Sequence, residues 1–496
     1  MTLHRTHDLA RTLALAAASN PQRRADLGRG ILIAALALVA GPALAAGEAK
    51  NVIFFLGDGM GPVTTTATRL KYVKEEGSLA MDGMSRTARV KTYSLDAQTT
   101  DSAPSMAAYM TGVKQRNDVI SMDADTVAIP YRPGTDAATK VSNAVDNCPA
   151  QGNGHPSTTL LEHAKRLGKA TGVVTTARLT HATPAATFAH VCHRDAEYAI
   201  ARQAVPGGEG YNERLGDGVD VLFGGISQYW RPYDAAARPR GRPDGRDLVA
   251  ELQAKGYRFS NDLATLDAAP VAAGSRLIGL YDFASSEGHM SYELDRDPAK
   301  EPSIAQMTTK SLEILSTNPK GFFLMVEGGR IDHALHGTNA ARALAESKAF
   351  DDAIEAALVA VKRFDPDLKE TLIVVTADHD HTMAFNGYGK RGTDVLGPSV
   401  NYTTGALNTD ANGASYTTLV FGNGSNRVDT RTSVDPLVVT GNDYLQEVAI
   451  RRGSPGSETH GGGDVMLFAE GSGAKVFKGT IDNTRVFDLV RSAAGY

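Results

Sequence analysis

Apolar residues fall into short runs bounded by turn-forming residues. Five of these, residues 52–56, 172–176, 219–223, 322–326 and 372–376, read as buried strands, and a sixth covers residues 465–468. Between them, Ala, Leu and Ile recur at spacings of three and four over residues 157–166 and 338–364, the period of a helix with one face on a core. Strand followed by helix, repeated, predicts a mostly parallel central sheet with helices on both faces, a three-layer α/β/α fold. Over residues 385–457 the pattern gives way to Gly, Asn, Thr, Ser and Asp, which predicts an inserted subdomain of loops and short strands. Residues 118–154 form a second irregular stretch, expected on the surface. No internal repeat is present.

Composition sharpens this outline. The chain has 496 residues, 42% apolar and 22% charged, enough for a large core, and its 50 glycines and 21 prolines suit a loop-rich α/β protein. Its first 45 residues differ from the rest. Arg23, Arg24 and Arg29 precede an apolar run over residues 31–40 and then Ala43-Leu44-Ala45, which is the order of a signal peptide. The run is shorter than the ~20 apolar residues that span a bilayer, so export to the periplasm or the exterior is expected, with cleavage after Ala45 and no transmembrane segment in residues 46–496. Arg23-Arg24 suggests a twin-arginine route, although Asp26 stands where an apolar residue belongs.

Removing the five arginines and two aspartates of residues 1–45 moves the formal net charge from −5 to −8. No basic stripe remains to neutralise many phosphates, so no nucleic-acid partner is expected. The two cysteines, Cys148 and Cys192, both fall in the exported part, where they are candidates for a disulfide or a pair of buried thiols. Two cysteines alone are a weak zinc signal.

The chemistry gathers at strand ends. Residues 52–56 run into Gly57-Asp58-Gly59, residues 322–326 into Glu327, and residues 372–376 into Ala377-Asp378-His379. In an open α/β sheet ligands bind beyond the carboxyl ends of the strands, and three carboxylates crowded there repel one another unless cations neutralise them. Asp332 and His336, four apart, share one side of a helical turn. With Asp378-His379 and His460 they supply nitrogen and oxygen donors enough for two zinc sites. Ser102, in Asp101-Ser102-Ala103-Pro104, stands where a helix begins. There it is either an N-cap or, with a metal on its oxygen, a nucleophile facing an incoming anion.

Six segments in order resemble the alkaline phosphatases. They are Gly57-Asp58-Gly59-Met60-Gly61, Asp101-Ser102-Ala103, His181-Ala182-Thr183-Pro184-Ala185-Ala186, Val326-Glu327-Gly328-Gly329, Thr376-Ala377-Asp378-His379 and Thr459-His460-Gly461-Gly462. The resemblance runs from about Asn51 to Phe468. It implies one zinc ion on Asp332, His336 and His460, a second on Asp58, Asp378, His379 and the Ser102 oxygen, and a magnesium ion on Asp58, Thr183 and Glu327. It also implies that Arg194 forks onto two phosphate oxygens, a geometry that lysine cannot copy. His181 behind the magnesium site and His333 near the phosphate stand where some bacterial members carry aspartate and lysine. Asp380 and His381 are expected to support the site rather than bind metal.

The implied reaction is in-line attack by Ser102 on a small phosphate monoester, a phosphoserine that water then cleaves, and release of alcohol and inorganic phosphate over a broad substrate range. Two zinc ions about 4 Å apart supply the charge stabilisation this needs. The family also implies a homodimer. Three rivals are weaker. A sulfatase needs an arginine where Met106 stands, a phosphodiesterase has less use for the Arg194 clamp, and a non-catalytic phosphate- or zinc-binding protein has no need of the serine.

Overall fold

The computed structural model describes residues 49–129, 153–236, 241–281, 283, 288–453 and 456–496. The expected signal peptide and Cys148 lie outside the described residues, as does most of the irregular stretch 118–154. Cys192 is buried, and no described cysteine is a free thiol.

Ten strands build one sheet: β1 Asn51–Gly57, β2 Arg86–Lys91, β3 Ala170–Arg178, β4 Val221–Gly225, β5 Arg258–Ser260, β6 Leu277–Tyr281, β7 Phe322–Gly328, β8 Thr371–Thr376, β14 Val465–Gly471 and β15 Gly479–Asp482. Their order across the sheet is β15-β2-β14-β8-β1-β7-β3-β4-β6-β5. Every pairing is parallel except those of β14 with β2 and β8, so the mostly parallel α/β fold stands as predicted. The expected strand over 219–223 is displaced to β4, because Asp220 precedes the strand and accepts from the Thr171 amide.

β1, β7 and β8 are buried along their whole length, as continuous apolar strands covered on both faces must be. Successive side chains of β1 point to opposite layers. Phe54 meets Tyr109 on the helix Ser102–Thr111, with ring centroids 5.7 Å apart, and Phe55 meets Phe350 on the helix Ala340–Val361 at 5.8 Å. Each buried ring contributes roughly 1.5–3 kcal/mol through apolar transfer. The helices Ile304–Leu315 and Ala340–Val361 pack on each other and on β7, while Leu160–Arg166 and Ala182–Phe188 pack on each other and on the same strand. The helix expected over 157–166 begins at Leu160, where the reciprocal bonds of Thr159 and Glu162 form a capping box. The expected helix over 338–364 is Ala340–Val361, started by Asn339, whose side chain accepts from the Arg342 amide.

Beyond residue 382 the chain forms a separate three-stranded sheet, β10 Met383–Phe385, β11 Leu419–Gly424 and β12 Val448–Arg451, ordered β10-β11-β12. A two-residue pairing of β9 Asp380–His381 with β13 His460–Gly461 ties its entry to its exit.

Candidate active site

Parallel register assembles the site. Leu56 of β1 lies beside Glu327 of β7 and Thr376 of β8, so Asp58, Glu327 and Asp378 emerge within two residues of one level at the carboxyl edge. Gly59 turns the chain there with φ +67°, and its amide donates to Asp378 Oδ1 at 3.0 Å. A side chain at Gly59 would strike the His381 ring, with Cβ 2.5 Å from Nε2.

Ser102 is the first residue of its helix, and Asp101, without a side-chain capping bond, takes the N-cap position. The serine hydroxyl is therefore free of a capping role. Its Oγ lies 3.4 Å from Asp58 Oδ1 and 3.3 Å from His379 Nε2. His379 Nε2 is in turn 3.3 Å from Asp58 Oδ1 and 3.5 Å from Asp378 Oδ2. A second cluster forms where the helix Arg330–His336 faces β13. His336 Nε2 stands 3.3 Å from Asp332 Oδ1 and 3.1 Å from His460 Nε2, and His460 Nε2 is 3.6 Å from Asp332 Oδ1. Donors about 2.0–2.1 Å from a tetrahedral zinc ion lie roughly 3.3–3.4 Å from one another, so both clusters have the spacing of a zinc cage.

Unsatisfied oxygens point the same way. Asp58 Oδ2, Asp378 Oδ2, Glu327 Oε1 and Thr183 Oγ1 are buried with no hydrogen-bond partner. Orphans of this kind are costly in a folded core and become ligands once a cation is bound. Asp58, His181 and Glu327 also offer donor atoms within 4.8 Å of one another, and His181 Nδ1 is unpartnered. The residues present therefore fit the metal ions that the sequence resemblance implies.

Electrostatics divide the site. Burial, followed by the Asp332 and Glu327 charges, pushes Asp58 well above the usual carboxylate range. Burial and then Asp58 do the same to Asp378. Glu327 is pushed up to about 8, first by burial, with Asp378 adding to it against a hydrogen bond from Thr175. Asp332 behaves oppositely. Burial acts to raise it, but His336, His381 and His460 together hold it well below the ordinary value. Burial keeps His336 and His460 below theirs, in the neutral form that binds metal.

Arg194 is anchored rather than loose. Its Nη1 pairs with Asp101, its amide donates to Asp118 O at 2.8 Å, and Nη2 lies 3.0 Å from His181 Nε2. His333 Nδ1 sits 3.1 Å from Arg330 Nη1.

Three residues that contact this constellation escaped the sequence reading. His289 places its ring 4.0 Å from His333 and 5.4 Å from His181. It is a lone histidine with no motif around it, so nothing in the sequence could have found it. Asp101 and Glu458 stand inside the recognised segments or beside them, at Ser102 and His460, and adjacency was their available signal. Asp380 and His381 do come to the site. His381 Nε2 is 2.8 Å from Asp332 Oδ1, and the Asp380 carboxylate fills the space that a side chain at Gly61 would take.

Carboxylates, imidazoles and an arginine converging on a helix N-terminus are the equipment of a metal-assisted enzyme acting on an anionic ester. The family model for alkaline phosphatase matches residues 49–496. The alkaline phosphatase of Gadus morhua is 34% identical over 478 residues, covering 90% of this chain and 92% of that one. The human tissue-nonspecific isozyme is 34% identical over 478 residues, covering 90% and 84%. Among solved structures, the Thermus thermophilus alkaline phosphatase superposes with a TM-score of 0.63 at 25% identity over 92% of this chain and 93% of that one. The enzyme from the Antarctic bacterium TAB5 shares the fold, with a TM-score of 0.60 at 22% identity over 90% and 98%. The chain belongs to the alkaline phosphatase family, and with it to the phosphoric monoester hydrolases.

Proposed function

We propose that the protein hydrolyses small phosphate monoesters through a phosphoserine at Ser102, with two zinc ions and one magnesium ion. The observation that carries this reading is the position of Ser102 Oγ, 3.4 Å from Asp58 Oδ1 and 3.3 Å from His379 Nε2, with His379 Nε2 itself 3.3 Å from Asp58 Oδ1 and 3.5 Å from Asp378 Oδ2. Asp332, His336 and His460 would hold the other zinc ion, and Asp58, Thr183 and Glu327 the magnesium ion. When bound, the ions supply charge stabilisation for the attacking and leaving oxygens and lower the pKa of the serine hydroxyl and of water.

The chain's own groups do the rest. The N-terminus of the helix Ser102–Thr111 favours an anion at the serine, and Arg194, steadied by Asp101, is placed to fork onto two phosphoryl oxygens. Ser102 Oγ attacks phosphorus in line and the alcohol departs from the opposite side, the side given to Asp332, His336 and His460. Water then cleaves the phosphoserine, and two inversions leave the configuration at phosphorus retained. Because the polar groups converge on the phosphoryl end, the alcohol is left largely in solvent and the substrate range is broad.

We further propose that residues 1–45 are a cleaved signal peptide delivering residues 46–496 to the periplasm or exterior. The catalytic unit forms a homodimer with residues 385–457 as a crown-like insert near the interface. Among the described residues no helix is long and apolar enough to cross a membrane.

The test is hydrolysis of p-nitrophenyl phosphate at pH 8–10 by wild type and Ser102→Ala, with metal analysis and acid trapping of phosphoserine. Activity that chelation removes and zinc plus magnesium restore, with a phosphoserine absent from the variant, is the expected result. A fully metallated wild type that binds phosphate without turning it over would replace the enzyme with a binding protein.

A further inference from the structure

Glu458 is fully buried, and nothing in the catalytic scheme uses it. It nevertheless touches His336 of one metal cage and His381, the ring bonded to that cage's Asp332. Its Oε2 lies 2.5 Å from His381 Nδ1, and the far nitrogen of that ring, Nε2, is 2.8 Å from Asp332 Oδ1. Its backbone oxygen lies 2.6 Å from His336 Nδ1, on the side of the ring away from Asp332 and His460, and its amide donates to the His336 carbonyl at 2.9 Å. Two residues later the same segment carries His460. The other carboxylate oxygen is held by the Thr382 amide at 2.7 Å and by the Thr382 hydroxyl, which fixes the carboxylate itself.

We propose that Glu458 is a positioning residue that orients His381, and through it Asp332, toward the metal ion of the Asp332–His336–His460 cage; this rests on the metal assignment above. His381 is the alternative, a direct ligand, since its ring nitrogens lie among candidate donors. Both of those nitrogens are already engaged, at 2.5 and 2.8 Å, and the bare Cα of Gly59 packs against the ring, so His381 is wedged in a supporting pose. A carboxylate behind an imidazole behind a ligand sets direction at the metal, and loss of such an outer partner typically weakens binding about 10–100-fold.

The experiment is zinc competition against a chromophoric chelator, with the full-length enzyme stripped and refilled. It uses wild type, Glu458→Gln, His381→Gln and the double variant, alongside urea unfolding of each metal-free protein. Glu458→Gln is expected to weaken one of the zinc ions roughly 10–100-fold and leave the other unchanged. In the His381→Gln background the same substitution should change affinity less than about twofold, because the path it acts through is gone. Thr382→Val, which loosens the carboxylate without touching His381, should fall between wild type and Glu458→Gln. Unchanged zinc affinity in Glu458→Gln, or equal weakening in both backgrounds, would overturn the assignment and leave Glu458 a scaffold residue. A wild type that binds no zinc would overturn the metal reading as well, and the two failures are told apart by the wild-type curve alone.

Discussion

The two cages stand side by side and are built on opposite principles. The one containing Ser102 hangs from strand ends. Asp58, Asp378 and His379 have fully buried side chains, and both carboxylates are pushed well above their ordinary values, chiefly by burial, with the Asp332 and Glu327 charges adding at Asp58 and the Asp58 charge at Asp378. The other rests on a short helix and a crossing strand, leaves the His336 side chain 30% exposed, and holds the Asp332 carboxyl well below its ordinary value in spite of burial. Asp332 of the second cage is bonded to His381, whose imidazole is pushed up to about 10, against burial, by Asp332 and Glu458, whereas Asp58 and Asp378 of the first lie among further carboxylates. In the proposed metal assignment a cation at the strand ends is the more tightly held and one beside His336 the more exchangeable.

The largest test of this contrast is Ser102→Ala, which removes the proposed nucleophile from the buried cage. Turnover of p-nitrophenyl phosphate should fall by a factor on the order of 10³–10⁶ while bound zinc stays nearly at the wild-type ratio. A variant that lost both would mean the serine oxygen holds the ion more than it attacks. Next, His336→Ala should weaken one zinc at least the roughly 10–100-fold that loss of an outer partner costs, and should spare the other. Timed metal release into chelator then shows two phases in wild type, and the faster one disappears in the variant. A single phase would erase the distinction between the cages.

Arg194→Lys separates the ions from the clamp. Without the planar fork kcat/KM should drop about 10–100-fold at unchanged metal content, read from initial rates and metal analysis. The smallest effect lies outside both cages and calibrates what burial alone does. Glu346, on the helix Ala340–Val361, is pushed up to about 7, chiefly by burial, against bonding from the Glu293 amide and the nearby Arg330 charge. A raised folded-state value means that its contribution is fully present below the ordinary carboxylate value and is lost as pH rises through 7. Glu346→Gln should therefore gain on wild type between pH 5 and pH 8, by about 3 kcal/mol at most, in urea unfolding of the metal-loaded protein. No gain would show that Arg330 neutralises the carboxylate in place.

How much of this could be read from the chain follows the same divide. The strand-end cage was legible because β1, β7 and β8 are continuous apolar runs that deliver Asp58, Glu327 and Asp378 to one edge. β2 was not, because Arg86, Arg89 and Lys91 leave it an edge-like pattern of alternating exposure, and β6 was hidden by Gly279 in the middle of a five-residue run. Ser102 was placed correctly at a helix start but one position inside it, since Asp101 takes the cap without a capping bond. Whatever works through tertiary contact stayed hidden. His289 and Glu458 matter because of what lies across from them, and no local period or spacing encodes that.

β14 is the one strand that runs against the sheet, between β8 and β2, and His460 lies on the segment leading into it. Its placement has a consequence for biogenesis. Asp58 leaves the ribosome near the start of the globular part and His460 near its end, so a nascent chain can collect single donors but cannot close the Asp332–His336–His460 cage. In the proposed assignment, filling of that cage is thus a late event, coupled to the arrival of His460 and β14, and a chain truncated before His460 would lose a sheet partner and a proposed metal donor in one cut.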